Sequence, residues 1–391
     1  MKFLIAGGYD TQNLGDYASF LGLYKLIKSE NPEAQFTVLS RHPNDLFSQQ
    51  FDVRTIINLD HANKNESLER FFRGFNEDDT NEHLLKIIQE LINCDCLLIG
   101  NGRLFIDIAI GYMYGPLNYF ATLILLARFL NKPVVLISVS LVEPSTNIGK
   151  QILKFIIQNS TLIIVREESS SKIAKMYTKK NDKVKILPDI AFAITDKDAS
   201  FKDIPDVFND GIGINFRGVN YNKDLNKALV KKNVEKVINL IDATDRNIVF
   251  CHQSTYDVDS ELTDDRYVNK TIFDLLPKFY KERCHIFNNR WSLAQTLGQY
   301  SKLAHLFTER RHGFILSLTQ STSSTLICNE ENTEIVKETI PNQIFYISDS
   351  EELLINNIST PNFDKILKNI RLDLPKYHDL LKHVITESKH D

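Results

Sequence analysis

The stretch that decides the fold is KFLIAGGYDTQNLGDYASFLGLYKLIKSE, residues 2–30. It starts with the apolar run Lys2–Ala6, passes through a glycine-bearing loop as far as Gly15, and continues with apolar residues at helical spacing. The same order of strand, loop and helix recurs along the chain, and its strands are short and nearly all apolar. Strands buried on both faces of a parallel sheet have this character. The pattern therefore predicts an α/β protein with open, doubly wound sheets.

Chain length predicts two domains, because the chain has 391 residues and a domain typically has roughly 100 to 200. The polar, proline-bearing stretch DKDASFKDIPDVFNDG, residues 196–211, precedes a new apolar strand, GIGINF. We therefore expect an N-terminal domain at residues 1–197 and a C-terminal domain at residues 198–391. A last helix, predicted at 363–385, is expected to pack back on the first domain.

Composition excludes several classes of protein. The net charge of −4 and the pI near 6.2 provide no global basic field for nucleic acid. No apolar stretch is long enough to cross a bilayer, since the longest one contains Arg128. The five cysteines form no paired CxxC units, so the sequence predicts no disulfide framework and no metal site. We expect a cytoplasmic location without a transmembrane anchor.

A basic cluster lies in FTERRHGFILSLTQ, residues 307–320. Arg310, Arg311 and His312 stand where a predicted strand gives way to a helix. A helix N-terminus favours an anion, and neighbouring guanidinium groups strengthen that preference. The cluster therefore indicates an anionic substrate, and the alternative is that these are solvated surface residues.

Polar residues and glycines also follow other predicted strands, at the edge where such sheets bind ligands. Each has a structural alternative: a polar residue before a helix can cap it, and an arginine can pair with a neighbouring carboxylate. The loop at 257–259 holds a DVD triplet, which we interpret as solvated. The candidate residues are Asn13, Gly15, Asp16, Asn101, Gly102, Arg103, Asp107, Arg166, Asp189 and Arg217.

The ordered set NLGD, GNGRLFID, VREESS, PDIAF, INFR and ERRHG resembles the polysaccharide pyruvyl transferase family, from the N-terminus to about residue 325. This resemblance implies two Rossmann-like domains facing across a cleft, similar to the B-type glycosyltransferases. It also implies the activity, which is transfer of the carboxyvinyl unit of phosphoenolpyruvate to two hydroxyls of one sugar. The products are a pyruvate ketal and phosphate, and no cofactor is implied beyond phosphoenolpyruvate as co-substrate.

The resemblance also implies roles for individual residues. Arg217, Arg310 and His312 match the donor-binding set, and His312 with Asp107 forms the expected acid–base pair. The remaining candidates fall on acceptor or structural loops. The family usually has three consecutive glycines where this chain has Gly100-Asn101-Gly102. Arg311 replaces a residue that is usually apolar.

The implied acceptor is a sugar of a surface polysaccharide, or of its lipid-linked or nucleotide-linked precursor, and the enzyme would work at the inner face of a membrane. A homo-oligomer is compatible with the sequence. One alternative is a nucleotide-sugar-dependent glycosyltransferase of the same fold, for which Trp291 and the loop after Cys251 are the only hints. Another is a non-catalytic relative that binds an anionic glycan.

Overall fold

The structure is a computed structural model that describes residues 1–9, 13–40, 45–58, 82–102, 104–107, 116–217, 226–255, 264–328, 346–348, 353 and 363–388. The chain forms two compact units. The N-terminal unit comprises Met1–Thr11, Ser19–Ile190 and Arg371–Asp391, and the C-terminal unit comprises Gln12–Ala18 and Ala191–Ile370.

The N-terminal unit is built on a parallel sheet that has seven strands among the described residues, in the order β3-β2-β1-β4-β5-β6-β7. The chain leaves β1 towards β2 and β3, and returns on the other side of β1 as β4. The strands are β1 (Lys2–Ala6), β2 (Gln35–Ser40), β3 (Arg54–Ile57), β4 (Cys96–Ile99), β5 (Val134–Val139), β6 (Leu162–Val165) and β7 (Val184–Ile186). The helices are α1 (Leu14–Glu30), of which the residues up to Ala18 belong to the C-terminal unit, α2 (Asp45–Phe51), α3 (His83–Asn93), α4 (Pro116–Phe129), α5 (Asn147–Asn159), α6 (Glu168–Tyr177) and, from the end of the chain, α13 (Lys376–Glu387).

The central strands of this sheet are buried along their whole length. Every residue of β4, β5 and β6 is buried, as the near-continuous apolar runs predict. Helices cover the sheet with apolar faces, and α3, for example, buries Ile87 and Leu91. Each fully buried aliphatic side chain of this kind contributes about 1.5–3 kcal/mol.

The C-terminal unit repeats the architecture with a parallel sheet that has six strands among the described residues, in the order β10-β9-β8-β11-β12-β13. The strands are β8 (Ile212–Asn215), β9 (Ile248–Phe250), β10 (Cys284–Ile286), β11 (His305–Thr308), β12 (Ser323–Cys328) and β13 (Tyr346–Ser348). The helices are α7 (Asn226–Asp242), α8 (Asp265–Leu275), α9 (Lys278–Lys281), α10 (Leu293–Lys302), α11 (Arg311–Thr319) and α12 (Phe363–Arg371). The prediction of an α/β fold with parallel sheets is confirmed.

The unit boundary differs from the predicted one at residues 197 and 198. It lies at Ile190, and the predicted linker belongs to the C-terminal unit. The reason is packing: Ser200 N donates to Ala294 O at 2.8 Å, and Phe208 is 1% exposed. The stretch is polar in composition, but its buried Phe208 packs it into the C-terminal unit.

Two helix boundaries also differ from the predictions, and a proline lies beside each difference. The predicted helix 363–385 is two helices, α12 and α13, with Pro375 directly before the second. Tyr377 of α13 is 1% exposed and donates to Pro188 O at 2.9 Å, within the N-terminal unit. The spacing of apolar residues also predicts a helix at 271–280, but α8 begins earlier, at Asp265, and ends at Leu275, before Pro277. Proline lacks the N–H that a helix interior needs.

The sequence also predicts helices at residues 67–75 and 351–357, and these lie outside the described residues except for Leu353. Across the described ranges, the helices are all too short or too polar to cross a bilayer.

Candidate functional site

The candidate donor site lies in the C-terminal unit, at the carboxyl ends of β8 and β11. These strands are neighbours, but the chain passes through β9 and β10 between them, so their junction is the switch point of the sheet. Open α/β sheets bind ligands at such points. Arg217 N donates to the Glu309 carboxylate at 2.8 Å, and Glu309 N donates to Asn215 O at 2.9 Å. The segment after β8, which carries Arg217, is therefore hydrogen-bonded to the segment directly before α11.

The start of α11 is defined by Arg310, Thr308 and Gly313. Arg310 is the N-cap residue, and its N–H donates to Thr308 Oγ1 at 2.9 Å. A Cβ atom at Gly313 would lie 2.7 Å from the same hydroxyl oxygen, so only glycine lets the turn close this tightly. Arg311 and His312 occupy the first turn, at the positive end of the helix dipole. The anion site expected at this helix start remains a prediction.

The guanidinium of Arg310 is held by Asp265 of α8. Arg310 Nε lies 3.2 and 3.1 Å from the two carboxylate oxygens, and Nη2 lies 2.5 Å from Oδ1. The Asp265 side chain is fully buried, and the Arg310 side chain is 12% exposed. Burial alone would raise the pKa of the Asp265 carboxyl, but Arg310 and backbone N–H donors hold it below its ordinary value.

Sequence reasoning missed Asp265. An aspartate directly before a helix is recognisable in a sequence as a candidate cap, and Asp264 fits this pattern. In the structure, Asp264 caps α8 by accepting from Arg266 N at 2.8 Å. Nothing local distinguishes the buried Asp265 from the capping Asp264. The DVD triplet at 257–259, interpreted from the sequence as solvated, lies outside the described residues.

The Asn13–Asp16 segment belongs to the C-terminal unit, although it follows the first strand of the N-terminal sheet. Leu14 N donates to Gln253 O at 3.0 Å, and Asn13 forms an antiparallel bridge with Ser254. Asn13 Oδ1 accepts from Gly15 N at 3.0 Å, so Asn13 serves as the helix cap that was its structural alternative.

Gly15 and His312 are in direct contact. A Cβ atom at Gly15 would lie 2.4 Å from His312 Nδ1 and 2.8 Å from Cγ. Approaches this close are not seen for real side chains, so a glycine is needed beside the imidazole. The tertiary structure thus brings together the first and last of the sequence motifs.

We expect Gly15→Ala to lower the catalytic rate by about 10- to 100-fold, because the methyl group must displace the imidazole, and small misplacements have effects of this size. Alanine is a good helix former at this first turn of α1, so the melting temperature should hardly change. Initial rates and thermal melts measure both effects.

The control for Gly15→Ala is the same substitution in a His312→Ala background. There the ring is absent, and the added methyl group should have no further effect on the rate. An equal loss in both backgrounds would show that the glycine serves something other than His312.

The switch point of the N-terminal unit lies between β1 and β4 and holds a second candidate loop. Gly7 and Gly100 let the strand ends approach, since a Cβ atom at Gly7 would lie 1.7 Å from Gly100 O. Gly102 has a φ of 72°, a value that favours glycine. Asn101, between these glycines, is 2% exposed, and neither polar atom of its amide has a hydrogen-bond partner among the residues that the structure describes. Arg103 lies outside the described residues.

Asp107 anchors this loop to α5. Its carboxylate accepts from Thr146 Oγ1 at 2.7 Å and Thr146 N at 2.9 Å, and Thr146 is the N-cap of α5. The Thr146 hydroxyl and N–H lower the pKa of Asp107. These contacts show that Asp107 positions the start of α5. Its acid–base role remains a prediction.

Arg166 and Asp189 form a buried ion pair in the N-terminal unit. Arg166 Nη1 lies 2.5 Å from Asp189 Oδ2, and the two side chains are 4% and 0% exposed. Arg166 also donates to Ser140 Oγ, from Nε at 3.2 Å and from Nη2 at 2.5 Å. Of the two predicted alternatives, the structure therefore has the arginine pairing with a neighbour.

Comparisons with known proteins bear on the family and the fold of this chain. A family model described as polysaccharide pyruvyl transferase matches residues 13–329. The chain belongs to this family. The match spans the segment from the Asn13 loop through α11 and β12, which includes all the motifs quoted above.

Solved structures with the same fold carry other names. The chain is 14% identical to a UDP-GlcNAc 2-epimerase from Methanocaldococcus jannaschii, covering 96% of this chain and 93% of that one, with a TM-score of 0.57. It is 12% identical to Anabaena Alr3699/HepE in complex with UDP and glucose, covering 99% and 100%, with a TM-score of 0.58. These identities show the shared fold alone. A sequence comparison with curated proteins gave no match.

The residues expected to bind the donor, Arg217, Arg310 and His312, follow strands β8 and β11 at one end of one sheet. Trp291 is one of the two hints of a nucleotide-sugar enzyme. Its side chain is 7% exposed and packs edge-on against Phe287. No group of three or more His, Cys, Asp or Glu side chains in the described ranges is arranged to hold a metal ion. The absence of a metal remains a prediction for the whole chain.

Proposed function

We propose that this family member transfers the carboxyvinyl unit of phosphoenolpyruvate to two hydroxyls of a saccharide. The observation that carries the proposal is that Arg217, Arg310 and His312 follow two neighbouring strands, β8 and β11, at the switch point of one sheet. The family match supports the reaction class.

The chemistry of the donor fits this cluster. Phosphoenolpyruvate carries a carboxylate and a phosphate, and a guanidinium fork binds either group through two hydrogen bonds. A helix N-terminus adds a favourable partial charge for an anion. Because the protein's net charge is −4, attraction of the donor has to come from a local cluster of this kind.

The reaction requires proton transfers that an imidazole is suited to perform. The first sugar hydroxyl adds to C2 of phosphoenolpyruvate while the methylene carbon gains a proton and becomes a methyl group. The second hydroxyl then displaces phosphate from C2, and its proton leaves with the phosphate. We assign the proton transfers at the donor to His312, and binding of the anionic groups to Arg217 and Arg310.

Asn101 is our candidate for acceptor recognition in the N-terminal unit. A buried amide without partners loses the hydrogen bonds that it makes in water, at a cost of about 1–3 kcal/mol per group. An amide can donate to one hydroxyl and accept from another. A sugar diol therefore matches both of its unsatisfied atoms.

We expect Asn101→Gly, which restores the glycine usual in the family, to raise the KM for the acceptor by about 10-fold, the equivalent of one lost hydrogen bond. The KM for phosphoenolpyruvate should stay unchanged and is the internal control. If the variant melts at a higher temperature and keeps the wild-type acceptor KM, Asn101 has no role in binding.

The proposed function is tested by incubating the protein with phosphoenolpyruvate and candidate pyranosides and measuring phosphate release. The expected result is release that depends on the acceptor and is lost in Arg217→Ala. A parallel thermal-shift series compares phosphoenolpyruvate with UDP-sugars. Stabilisation by a UDP-sugar, without binding or turnover of phosphoenolpyruvate, would overturn the proposal and favour a nucleotide-sugar enzyme.

A further inference from the structure

The carboxylate of Asp265 connects four segments of the C-terminal unit. Besides Arg310, it accepts from Gln253 N at 3.0 Å, Ser254 N at 3.1 Å and Asn215 Nδ2 at 3.3 Å. These donors come from the ends of β8 and β9, while Arg310 follows β11 and Asp265 itself begins α8. One buried carboxylate therefore fixes the relative positions of three strand ends at the edge where the candidate donor site lies.

The Asn215 side chain extends this connection. Its Oδ1 accepts from Thr308 Oγ1 at 3.1 Å, and Thr308 Oγ1 in turn accepts from Arg310 N. The backbone at the start of α11 and the guanidinium of Arg310 are therefore both held by the Asp265 carboxylate, the first through Asn215 and Thr308 and the second directly.

A second line of contacts leads from Asp265 to His312. Gln253 donates its N–H to Asp265 and accepts from Leu14 N through its carbonyl. Leu14 precedes Gly15, which packs against the imidazole of His312. The orientation of the histidine therefore depends on a loop whose backbone Asp265 holds in place.

The ion pair occupies one defined edge of the Arg310 guanidinium. Asp265 engages Nε and Nη2, and the Nη1 atom is not part of that pair. A guanidinium that is held rigidly along one edge presents its remaining N–H groups in a fixed direction, which lowers the entropy lost on binding an anion.

We infer that Asp265 is a positioning residue of the donor site, which orients Arg310 directly and His312 through Gln253 and the Leu14–Gly15 backbone. This inference rests on the proposed function for its substrate, phosphoenolpyruvate. Neither the sequence motifs nor the family match assigns a role to this residue.

The test is Asp265→Asn, which keeps the size of the side chain and removes its charge. We expect the KM for phosphoenolpyruvate to rise by about 10- to 100-fold, as for one impaired charged contact, while the acceptor KM changes less than twofold. A purely structural role would lower the melting temperature and the fraction of active enzyme, and would leave the donor KM of the folded enzyme unchanged.

Asp264→Asn is the matched control, because Asp264 is the adjacent aspartate and also pairs with an arginine, Arg266. This variant should keep the wild-type KM for phosphoenolpyruvate. If the two variants raise that KM equally, the effect comes from the start of α8 in general, and the inference is wrong.

Hydrogen exchange separates failure of this inference from failure of the proposed function, because it needs no substrate. The amides of Leu14, Gln253 and Ser254 should exchange at least tenfold faster in Asp265→Asn than in wild type or Asp264→Asn. If the wild type does not turn over phosphoenolpyruvate, the proposed function fails while the exchange result still decides whether Asp265 organises this edge. Unchanged exchange together with an unchanged donor KM would overturn the inference.

Discussion

Replacing His312 by alanine is expected to lower the rate of acceptor-dependent phosphate release by roughly 10²- to 10⁴-fold, the usual contribution of a positioned acid–base group. The loss should appear mainly in kcat, because the proton transfers occur in the transition state. The KM for phosphoenolpyruvate should change less than in Arg217→Ala, where an anion-binding group is removed. Initial rates over a matrix of donor and acceptor concentrations separate the two parameters.

The control for this substitution is His383→Ala. His383 lies on α13 with a side chain that is 67% exposed, and it pairs only with Glu387 among its described contacts. The rate of this variant should match the wild type. If His312→Ala retains the wild-type kcat, the proton-transfer role fails, and His312 would be a packing partner of Gly15.

Removing the carboxylate of Asp189 is expected to lower the free energy of unfolding by about 3–5 kcal/mol, because it leaves a buried guanidinium without its main partner. Burial by itself lowers the pKa of Arg166, and the carboxylates of Asp189 and Glu167 raise it above its ordinary value. Without Asp189, the ion-pair contact of Arg166 that remains among the described residues is with Glu167, at 4.0 Å. This substitution tests the structural role of a residue that the sequence left open as a ligand.

Denaturant unfolding of Asp189→Ala should be followed by two probes. Trp291 is the single tryptophan of the chain, so its fluorescence reports on the C-terminal unit, whereas far-ultraviolet circular dichroism reports on both units. We expect the larger shift in the circular dichroism transition.

Two further variants sharpen this test. Arg54→Ala breaks a pair with Glu90 in which the arginine side chain is 61% exposed, and it should change stability by only about 0–1 kcal/mol. Arg166→Met combined with Asp189→Leu should be more stable than Asp189→Ala, since the guanidinium is no longer buried without its main partner, while the buried Glu167 is present in both variants. A loss for Asp189→Ala no larger than for Arg54→Ala would contradict the buried-pair account.

The candidate site was only partly predictable. Arg217, Arg310 and His312 were found because each follows an apolar strand, and residues after strands lie at the ligand-binding edge of a parallel sheet. Asp265 was missed because it stands one residue inside a helix, next to an aspartate that is a better local candidate for a cap. Asp107 was expected as an acid–base residue, and its observed contacts with Thr146 depend on where the start of α5 lies.

The sequence by itself determined the class of fold, the buried strands and the family. Apolar runs such as Cys96–Ile99 and Val134–Val139 record burial directly, because a strand covered on both faces has to be apolar throughout. Proline and glycine positions likewise indicate where a helix is interrupted or where the backbone needs a positive φ. These properties belong to short segments, and a linear pattern is sufficient to express them.

Only the tertiary structure decided which side chains meet. Arg310 and Asp265 are 45 residues apart, Arg217 and Glu309 are 92 apart, and the contact between Gly15 and His312 joins opposite ends of the matched family region. The strand order of the C-terminal sheet makes β8 and β11 neighbours. Hydrogen bonds to the loop after β9 place the segment around Leu14 in the C-terminal unit. Such partners depend on strand order and on burial in three dimensions, and no local pattern encodes either.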